Sequence, residues 1–379
     1  MIVLALNSGS SSFKFGLYRI EASRAEELLS HAIAAPSPQQ ALAGVAQLLA
    51  TSKVPAPDAI GHRIVHGGPA LRQHCLIDAS VLQQLEAALG FAPLHMPAAL
   101  AFIRLAQAQF PGLPQVACFD TSFHAGLPDL ARVLPIPRAW QLEGIQRYGF
   151  HGLSIESVLH QIGPDVPARV VIAHLGNGAS VTAVKGGKSI DTSMALTPTG
   201  GVIMGTRTGD LDPGVLLYLM REKKFDAGSL ADLIDHRSGL LGISDISSDM
   251  RQLHEAALSN ADARLAIQMF CYSVAKQIAA MIAALDGIDL LIFTGGIGEN
   301  DAQIRAEICR HLCWIGVRLD DGRNQCATHP INGATSRCEV RVIASQEDEQ
   351  IARHTCTLAA MRSTSMRHGL RDHLERLGL

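Results

Sequence analysis

The chain has 379 residues, of which 47% are hydrophobic and 18% are charged, and its formal net charge is −3. This apolar content excludes an intrinsically disordered chain, and the length predicts two or three domains of about 150 residues each. Because the chain is weakly acidic and only 4% of its residues are aromatic, a nucleic-acid binder that neutralises phosphates or stacks bases is also excluded.

The cysteines and the apolar runs indicate the compartment. The eight cysteines form no C-x-x-C pair, which favours reduced and mostly buried thiols over a disulfide framework or a zinc site. The apolar start, 1–6, lacks a basic segment and is too short for a signal sequence. The longest apolar run, 278–293, is interrupted by Asp286 and Asp289 and falls short of the ~20 residues of a membrane span. We therefore expect a cytoplasmic protein without a membrane segment.

Strands and helices are predicted to alternate in the first part of the chain. Residues 2–6 and 13–18 are predicted strands on either side of a polar turn at 7–12. A helix is predicted near 39–50, within a segment that is rich in Ala, Pro and Gln. The elements that follow are a strand at 59–65, helices at 80–89 and 97–109, and a strand at 115–120.

The segment 148–152, which contains two glycines, is the candidate domain boundary. After it, strands at 169–174 and 181–184 flank a turn of Gly, Asn and Ser, which repeats the strand–turn–strand pattern of the N-terminus at a spacing of roughly 170 residues. The remaining predicted elements are helices at 214–222, 229–235 and 261–285, a strand at 290–294, a helix at 301–312, a strand at 339–343 and a last helix opening at 345–349. This alternation predicts an α/β chain with mixed sheets.

Three Gly-rich turns, at 8–12, 176–180 and 295–298, each follow a predicted strand. Glycine lets backbone N–H groups converge on an anion, so three such turns suggest a polyphosphate ligand. Neither the P-loop pattern nor the dinucleotide fingerprint is present, however, and a single Gly-rich turn is often a plain hairpin. The turns by themselves therefore leave a phosphate site and a structural role open.

Five charged or titratable residues are candidates for chemistry. Arg63 lies in a strand and Arg207 in a Gly- and Thr-rich loop; a guanidinium suits carboxylate and phosphoryl oxygens, or a structural ion pair. Asp120 ends a strand, where α/β proteins often place a site and where an aspartate can also cap a turn. His151 and His174 lie beside the candidate boundary and beside a glycine turn, although each could be a hydrogen-bonded core histidine.

Taken together, these segments resemble the motifs of the acetate kinase family, within the actin-like, sugar-kinase and Hsp70-type ATPase superfamily. The resemblance covers nearly the whole chain and is carried by Leu6–Lys14, His62–Gly68, Phe119–His124, Tyr148–Gly152, His174–Ser180, Met204–Pro213, Ser238–Ser244, Ser248–Arg251 and Phe293–Asn300. It implies two duplicated actin-like, ribonuclease H-like α/β lobes, with mixed sheets flanked by helices and a cleft between the lobes. The implied domains are 1–150, rejoined by a C-terminal helix at 348–379, and a nucleotide-binding lobe at 151–347.

The resemblance also implies an activity. A homodimer would transfer the γ-phosphate of ATP directly and reversibly to acetate, giving acetyl phosphate and ADP, with Mg²⁺ or Mn²⁺. The alternatives are a kinase for propionate or another short-chain carboxylate and, in a different class, an actin-like structural or chaperone ATPase without an acceptor. Acetate is ionised at neutral pH, so the reaction needs no strong base, and the main barrier is the repulsion between two anions.

Roles for single residues are implied by the same resemblance. Asn7 and Glu347 resemble the family's magnesium-site pair, and Lys14 resembles its nucleotide-binding lysine. Arg63 resembles the substrate-binding arginine, and Val65 is expected to limit the room for the acyl chain. Asp120 resembles the family's essential carboxylate, and His151 and Arg207 resemble its two transition-state stabilisers. We expect Asp120 to orient Arg63 or metal-bound water rather than to take a proton. The implied nucleotide-binding residues are His174, Leu175, Gly176, Asn177, Gly178, Asp249, Met250, Arg251, Gly296, Ile297, Gly298, Glu299 and Asn300.

The chain departs from the family pattern at three places. Segment 21–58 is shorter than is usual in the family, and Met96 stands where the family usually has Asn. Near the end, the family's Thr-Asn-Glu-Glu reads Ser345-Gln346-Glu347-Asp348. A carboxylate is therefore retained at the position of the implied metal ligand.

Overall fold

The structure, a computed structural model, describes residues 1–8, 13–21, 24–33, 37–93 and 95–376, with side chains up to residue 361. The chain forms two compact units, residues 1–125 with 346–379 and residues 126–345. Each unit is built on one mixed sheet with helices packed against it. The predicted α/β class is therefore confirmed.

The bounds of the strands agree closely with the apolar runs of the sequence. In chain order they are β1 (Ile2–Ser8), β2 (Phe13–Glu21), β3 (Arg24–Ile33), β4 (Ala59–Ile64), β5 (Cys75–Leu76), β6 (Gln115–Phe119), β7 (Arg169–Leu175), β8 (Ala179–Lys185), β9 (Lys188–Thr192), β10 (Leu290–Thr294) and β11 (Glu339–Val342). Strands β6 and β10 are buried at every position, as expected for strands covered on both faces.

The helices lie between these strands and after them. They are α1 (Pro38–Thr51), α2 (Ala79–Ala87), α3 (Met96–Gln109), α4 (Asp129–Arg132), α5 (Arg138–Leu142), α6 (Gly152–Ile162), α7 (Pro213–Glu222), α8 (Ala227–His236), α9 (Gly239–Ser244), α10 (Met250–Ala256), α11 (Ala261–Leu285), α12 (Gly295–Asn300), α13 (Ala302–His311), α14 (Asp321–Gln325) and α15 (Glu347–Arg376). Asp301 caps α13 by accepting hydrogen bonds from the backbone N–H groups of Gln303 and Ile304.

In the first unit the strand order is β3-β2-β1-β4-β6-β5. Strands β1, β4 and β6 run parallel, so their carboxyl ends lie at one edge of the sheet. Helices α1 and α3 contribute to a core in which Phe13 and Phe102 stack with ring centroids 4.6 Å apart. Helix α15 packs on β1, β2, β4 and β6. This arrangement places the first turn of α15 in the same unit as the strand ends.

The second unit repeats the topology of the first. Its strand order is β11-β10-β7-β8-β9, so that an antiparallel pair, β7 and β8, continues into a parallel strand, β10. The first unit shows the same relationship between the pair β1–β2 and strand β4. The strand–turn–strand repeat in the sequence therefore corresponds to a repeated sheet topology.

Helix α11 is the longest apolar element of the second unit. Among the described residues it is the one helix with the length and composition to cross a membrane. It packs on β7, β8, α9, α10 and α13, as the core helix of a soluble protein does. The chain then turns at Asp286, which has a φ of 57°, and continues into buried β10. The predicted helix, turn and strand over 278–293 are therefore confirmed.

Two local features differ from the sequence-based interpretation. Strand β3 was not predicted, because Arg24–Ile33 is rich in residues that favour helices and becomes a strand only by pairing with β2 at the edge of the sheet. Residues 295–298 do not form a turn but belong to α12. The segment 126–150 lies within the second unit, where Arg147 donates to the carbonyl oxygen of Thr192. The domain bounds of 1–150 with 348–379 and 151–347, and the cleft, stay predictions.

Candidate active site

The first unit gathers five polar side chains at the carboxyl ends of its parallel strands. Asn7 lies near the end of β1, Arg63 near the end of β4, and Asp120 directly after β6. Glu347 and Asp348 come from the first turn of α15. The sequence predicts four of these residues as site residues, and the fold brings them together because the three strands are adjacent and parallel.

Arg63 and Asp120 form a two-pronged ion pair. Nη2 of Arg63 lies 2.7 Å from Oδ2 of Asp120, and Nε lies 3.1 Å from both carboxylate oxygens. Burial acts to lower the pKa of Arg63, but Asp120, Glu347 and Asp348 raise it above its ordinary value, so the guanidinium stays charged. Asp120 is 1% exposed, and its carboxylate holds the guanidinium in one orientation.

Asn7 links this ion pair to the carboxylates of α15. Its Oδ1 accepts a hydrogen bond from Nη1 of Arg63 at 3.2 Å. Its Nδ2 donates to Oε2 of Glu347 at 3.1 Å and to Oδ1 of Asp348 at 2.7 Å. Burial raises the pKa of Asp348, and the charge of Glu347 adds to this effect. The fold therefore holds the carboxylates of Glu347 and Asp348 close together, although their charges repel each other.

The oxygen atoms in this group suit a divalent cation. Glu347 and Asp348 supply carboxylate oxygens, which are ligands that Mg²⁺ and Mn²⁺ prefer, whereas the Oδ1 of Asn7 accepts from Arg63 and its Nδ2 faces the two carboxylates. A cation at these oxygens would relieve the repulsion that contributes to the raised pKa of Asp348. The residues present therefore fit the metal that the resemblance implies.

Two further predicted residues lie beside this group. Lys14 is the register partner of Asn7 in the β1–β2 pair, and its charge acts on Asp348. Val65 follows β4 directly and is buried, two residues beyond Arg63. The glycine turn that precedes Lys14 cannot be compared with its prediction, since residues 9–12 lie outside the described residues.

In the second unit, the predicted histidines form a stacked pair. The ring centroids of His151 and His174 are 4.2 Å apart, with 23° between the ring planes. His151 precedes α6 with a φ of 59°, a left-handed conformation that is uncommon for any residue except glycine and is often found at functional sites. Nδ1 of His151 lies 2.9 Å from Oγ of Ser180, and Nδ1 of His174 lies 2.8 Å from Oγ of Ser154.

The turn between β7 and β8 lies against these rings and against Arg207. A Cβ atom placed on Gly178 would lie 3.2 Å from Nε2 of His151 and 3.4 Å from Nη1 of Arg207. The same group of Arg207 donates to the carbonyl oxygen of Pro198 at 3.0 Å, which fixes the guanidinium beside the turn. Two imidazole rings, one guanidinium and a glycine backbone thus form one surface that is suited to an anion.

The start of α12 lies next to the same turn. Gly295 has a φ of 79°, and a Cβ atom there would lie only 2.8 Å from the carbonyl oxygen of Leu175, so the close approach of the two segments requires glycine. The backbone nitrogen of Gly296 is 3.9 Å from the place where a Cβ of Gly176 would be. Two of the three predicted glycine segments therefore lie side by side, although the second is helical.

The remaining predicted nucleotide-binding residues surround this pair of segments. Asn177 accepts a backbone hydrogen bond from Gly205, and the carbonyl of Ser248 lies 3.3 Å from where a Cβ of Gly205 would be. Asp249 then caps α10 and pairs with the exposed Arg251, which lowers the pKa of Asp249. Met250 is buried, and Ile297 and Gly298 lie within α12. In the same helix, the side chain of Glu299 accepts a hydrogen bond from the backbone nitrogen of Gly295, and the side chain of Asn300 donates to the carbonyl oxygen of Gly296.

Sequence reasoning missed four residues that support these sites. Asp348 is closer to Asn7 than Glu347 is, and its only sequence signal is its place after Glu347. Ser154 and Ser180 contact the two histidines, and a serine in a helix or strand carries no distinctive sequence signal. Arg305 is 1% exposed and donates to the carbonyl oxygens of Gly298 and Glu299. An arginine in an amphipathic helix usually faces solvent, so its burial could be found only in the fold.

Comparisons with known proteins show which proteins this chain resembles. The sequence profile of the acetokinase family matches residues 24–353. An acetate kinase of Nitrobacter hamburgensis is 46% identical over 318 residues, which cover 83% of this chain and 78% of that protein. A propionate kinase structure from Francisella tularensis has a TM-score of 0.87 at 37% identity, and an acetate kinase structure from Porphyromonas gingivalis has a TM-score of 0.82 at 33% identity. Both comparisons cover 94% of this chain and 99% of the other, and they support the predicted duplicated actin-like fold class.

Proposed function

Because this chain belongs to the acetokinase family and is a kinase that phosphorylates a carboxylate, we propose that it transfers the γ-phosphate of ATP to acetate, using the residues described above. The reaction gives acetyl phosphate and ADP and is reversible. The observation that carries this proposal is the partly buried guanidinium of Arg63, which the buried Asp120 orients from one side. A protein that only hydrolysed ATP would not need a carboxylate-binding arginine in that position.

In the proposed mechanism Arg63 binds the carboxylate of acetate. Asp120 and Asn7 fix the guanidinium, so that the acceptor oxygen is presented in one orientation. No residue needs to take a proton from acetate, since the carboxylic acid has a pKa near ~4.3, that of Glu, and is already ionised. Asp120 is therefore a positioning residue rather than a general base.

The second unit supplies the groups that stabilise charge on the transferred phosphoryl group. Arg207 and His151 face the glycine turn at Gly178, and we assign them to the oxygens of the γ-phosphate. The backbone N–H of Gly296, with its neighbours in the predicted nucleotide segments, would bind the other phosphates of ATP, whereas the N–H of Gly176 donates to the carbonyl oxygen of Gly178 and shapes the turn. These roles agree with the resemblance and with the side-by-side placement of the two glycine segments.

A divalent cation completes the set. Glu347 and Asp348 would hold it through their carboxylate oxygens, beside Asn7, which here turns its Nδ2 toward both of them. We propose Mg²⁺, with Mn²⁺ as a substitute, because carboxylate oxygens are hard ligands. When bound, the cation neutralises phosphate charge. The protein residues contribute the fixed position of the donors, through α15 and β1.

An acyl hydroxamate assay tests this function directly. Purified protein is incubated with ATP, Mg²⁺ and acetate, and acetyl phosphate is trapped with hydroxylamine. We expect acetyl phosphate that depends on all three additions. Turnover of ATP that is insensitive to acetate would instead support the structural or chaperone ATPase.

Propionate is the second candidate substrate, and the similarity to a propionate kinase structure makes it a specific one. Acetate is preferred in our proposal because the resemblance places Val65, which is buried two residues beyond Arg63, where its bulk would limit the room for a longer acyl chain. One methylene in an apolar pocket changes discrimination by only about 1–3 kcal/mol, so propionate is expected to be a weaker substrate rather than an excluded one. A kcat/KM for propionate equal to or above that for acetate would reverse this assignment.

We also propose a cytoplasmic homodimer. Helices α7 and α8 bury no residue in the described structure, and α7 exposes Tyr218 and Met220. Met269 and Tyr272 of α11 are exposed in the same unit, and Gln277 of α11 donates to Asp210, just before α7. Exposed apolar side chains on these helices of one unit fit a second copy of the chain, which would cover them in the same way on both subunits.

Light scattering after size exclusion tests the dimer. Tyr218→Asp is expected to shift the mass toward that of one chain. Trp140→Asp, a matched change at another exposed aromatic residue of the same unit, should leave the mass unchanged. Equal masses for Tyr218→Asp and the unchanged protein, both that of a dimer, would place the contact elsewhere.

A further inference from the structure

The two stacked histidines are held in the same way. In each ring Nδ1 contacts a serine hydroxyl, from Ser180 for His151 and from Ser154 for His174. In each ring Nε2 lies toward the turn between β7 and β8. Nε2 of His151 is 3.2 Å from the place where a Cβ of Gly178 would be, and Nε2 of His174 is 3.9 Å from the place where a Cβ of Gly176 would be. The serines therefore lie behind the rings, on the side away from the turn.

A second serine extends the contact behind His174. Oγ of Ser345 donates to Oγ of Ser154 at 2.9 Å, and Oγ of Ser154 lies 2.8 Å from Nδ1 of His174. Ser345 is itself fixed, because its backbone N–H donates to Oε1 of Glu299 at 2.9 Å. The same carboxylate oxygen accepts from the backbone nitrogen of Gly295 at 2.9 Å. The path thus runs from the start of α12 through two hydroxyls to one imidazole.

Counting protons along this path fixes the histidine tautomer. Each hydroxyl carries one hydrogen, and the hydrogen of Ser345 is given to Ser154. The hydrogen of Ser154 is then available for Nδ1 of His174, which accepts it without a proton of its own. With Nδ1 as the acceptor, the proton of the neutral ring lies on Nε2, the atom that faces the glycine turn.

We propose that Ser345 and Ser154 form a hydroxyl relay that holds His174 as the Nε2–H tautomer, so that the ring donates a hydrogen bond to the phosphate bound at the Gly176 turn. Ser154 and Ser345 are positioning residues for the phosphoryl transfer, and this inference rests on the proposed function. The stack with His151 extends the effect, since a fixed His174 ring gives the neighbouring ring a fixed face to pack on. Fixing a ligand-binding ring through residues behind it is a common way to keep an active site in its productive geometry.

Variants of the two serines test the relay in the full-length protein with acetate, ATP and Mg²⁺. Ser154→Ala removes the donor to Nδ1 and should lower kcat about tenfold, as expected for one lost hydrogen bond, with the KM for acetate nearly unchanged. Ser345→Ala should lower kcat in the same direction. Ser345→Thr keeps a hydroxyl and should recover the lost rate.

The chain offers a matched control for Ser154. Ser157 is a buried serine in the same helix, α6, and its hydroxyl donates to the backbone carbonyl of Ser154 rather than to a histidine. Ser157→Ala should keep kcat within about twofold of the unchanged protein. Equal losses in Ser154→Ala and Ser157→Ala would mean that α6 matters only for packing, and would overturn the relay.

A readout that does not depend on activity separates this proposal from the proposed function. Nitrogen NMR of protein labelled at histidine distinguishes the two neutral tautomers, and the His174 signals are assigned by their loss in His174→Asn. We expect Nε2–H in the unchanged protein and a mixture of tautomers in Ser154→Ala. A Nδ1–H ring in the unchanged protein would overturn the relay even if the acetate assay succeeds, whereas a failed acetate assay with the expected tautomer would overturn only the function.

Discussion

Nη2 of Arg63 lies 2.7 Å from Oδ2 of Asp120, and the carboxylate that it contacts is 1% exposed. A buried ion pair of this kind is expensive to separate, since either partner left alone is an uncompensated charge. The pair therefore gives the acceptor-binding guanidinium a fixed position before any substrate arrives. Its effect on catalysis and its effect on stability have to be measured separately.

Removing the guanidinium should abolish most acetate phosphorylation while ATP still binds. Arg63→Ala is expected to lower kcat/KM for acetate by about 10²–10³-fold, the size of effect seen when a preorganised charge-stabilising donor is lost. ATP affinity, measured by calorimetry, should change by no more than about twofold, because the predicted nucleotide segments lie in the other unit.

Arg72→Ala is the control for this experiment. Arg72 belongs to the same unit and donates to the carbonyl oxygen of Ala125. Arg72→Ala therefore removes the same side chain as Arg63→Ala but leaves the ion pair with Asp120 in place. Melting curves of both variants show whether Arg63→Ala remains folded. A collapse of ATP affinity with normal acetate kinetics would contradict the role of Arg63.

Neutralising Asp348 should stabilise the metal-free protein at neutral pH. Burial, and then Glu347, raise the pKa of Asp348, so the ionised carboxylate is disfavoured in the folded state. A raised pKa of an acid means that stability falls as the pH rises through it. Asp348→Asn is therefore expected to melt at a higher temperature than the unchanged protein at pH 7, and the difference should shrink as the pH falls toward the ordinary value of 3.8.

The neighbouring Glu349→Gln should change stability in the opposite direction. Glu349 pairs with Arg353 at 2.7 Å, and loss of this pair is expected to lower the free energy of unfolding slightly, by about 0.5 kcal/mol.

Asp348→Asn should also need more Mg²⁺ for half-maximal activity. A lower melting temperature for Asp348→Asn at pH 7 would show that the carboxylate is not held at a cost.

Arg305 should be essential for the stability of the second unit. It donates to the carbonyl oxygens of Gly298, Glu299 and Asn324 and to the side chain of Asn324. Arg305→Met leaves these acceptors buried without a donor, so the free energy of unfolding in urea is expected to fall by about 3 kcal/mol or more. The KM for ATP should rise as well, because two of the carbonyls belong to α12.

Arg310→Met, on the same helix, provides the comparison. Its side chain is 65% exposed and pairs with Glu307, so its loss should change the free energy of unfolding by no more than about 0.5 kcal/mol. Similar effects of the two substitutions on unfolding would contradict the structural role of Arg305.

Reducing the side chain next to the acceptor arginine should relax the acyl selectivity. Val65→Ala removes two methyl groups from a buried position two residues beyond Arg63 and is expected to raise the propionate-to-acetate ratio of kcat/KM by about tenfold. The measurement is a set of steady-state assays with acetate, propionate and butyrate. An unchanged ratio would show that the acyl chain does not reach Val65.

Much of this fold and of the candidate site is determined locally. Apolar runs predicted β1, β7 and β10 within a few residues, because buried strands need continuous apolar sequence and end at polar or glycine residues. The same local patterns carried the motifs that identified the family. The matching topology of the two sheets follows from the repeat of strand, turn and strand.

The tertiary structure alone decided which distant residues meet. Asn7 and Asp348 are 341 residues apart, Ser154 and Ser345 are 191 apart, and Arg63 and Asp120 are 57 apart. Edge strand β3 and helix α12 also depend on their neighbours, since the first needs β2 as a partner and the second lies against β7. The sequence determined the residue types and their order, whereas the partner of each buried polar group was decided by the packing of the sheets, because a hydrogen bond depends on distance in space and not on separation along the chain.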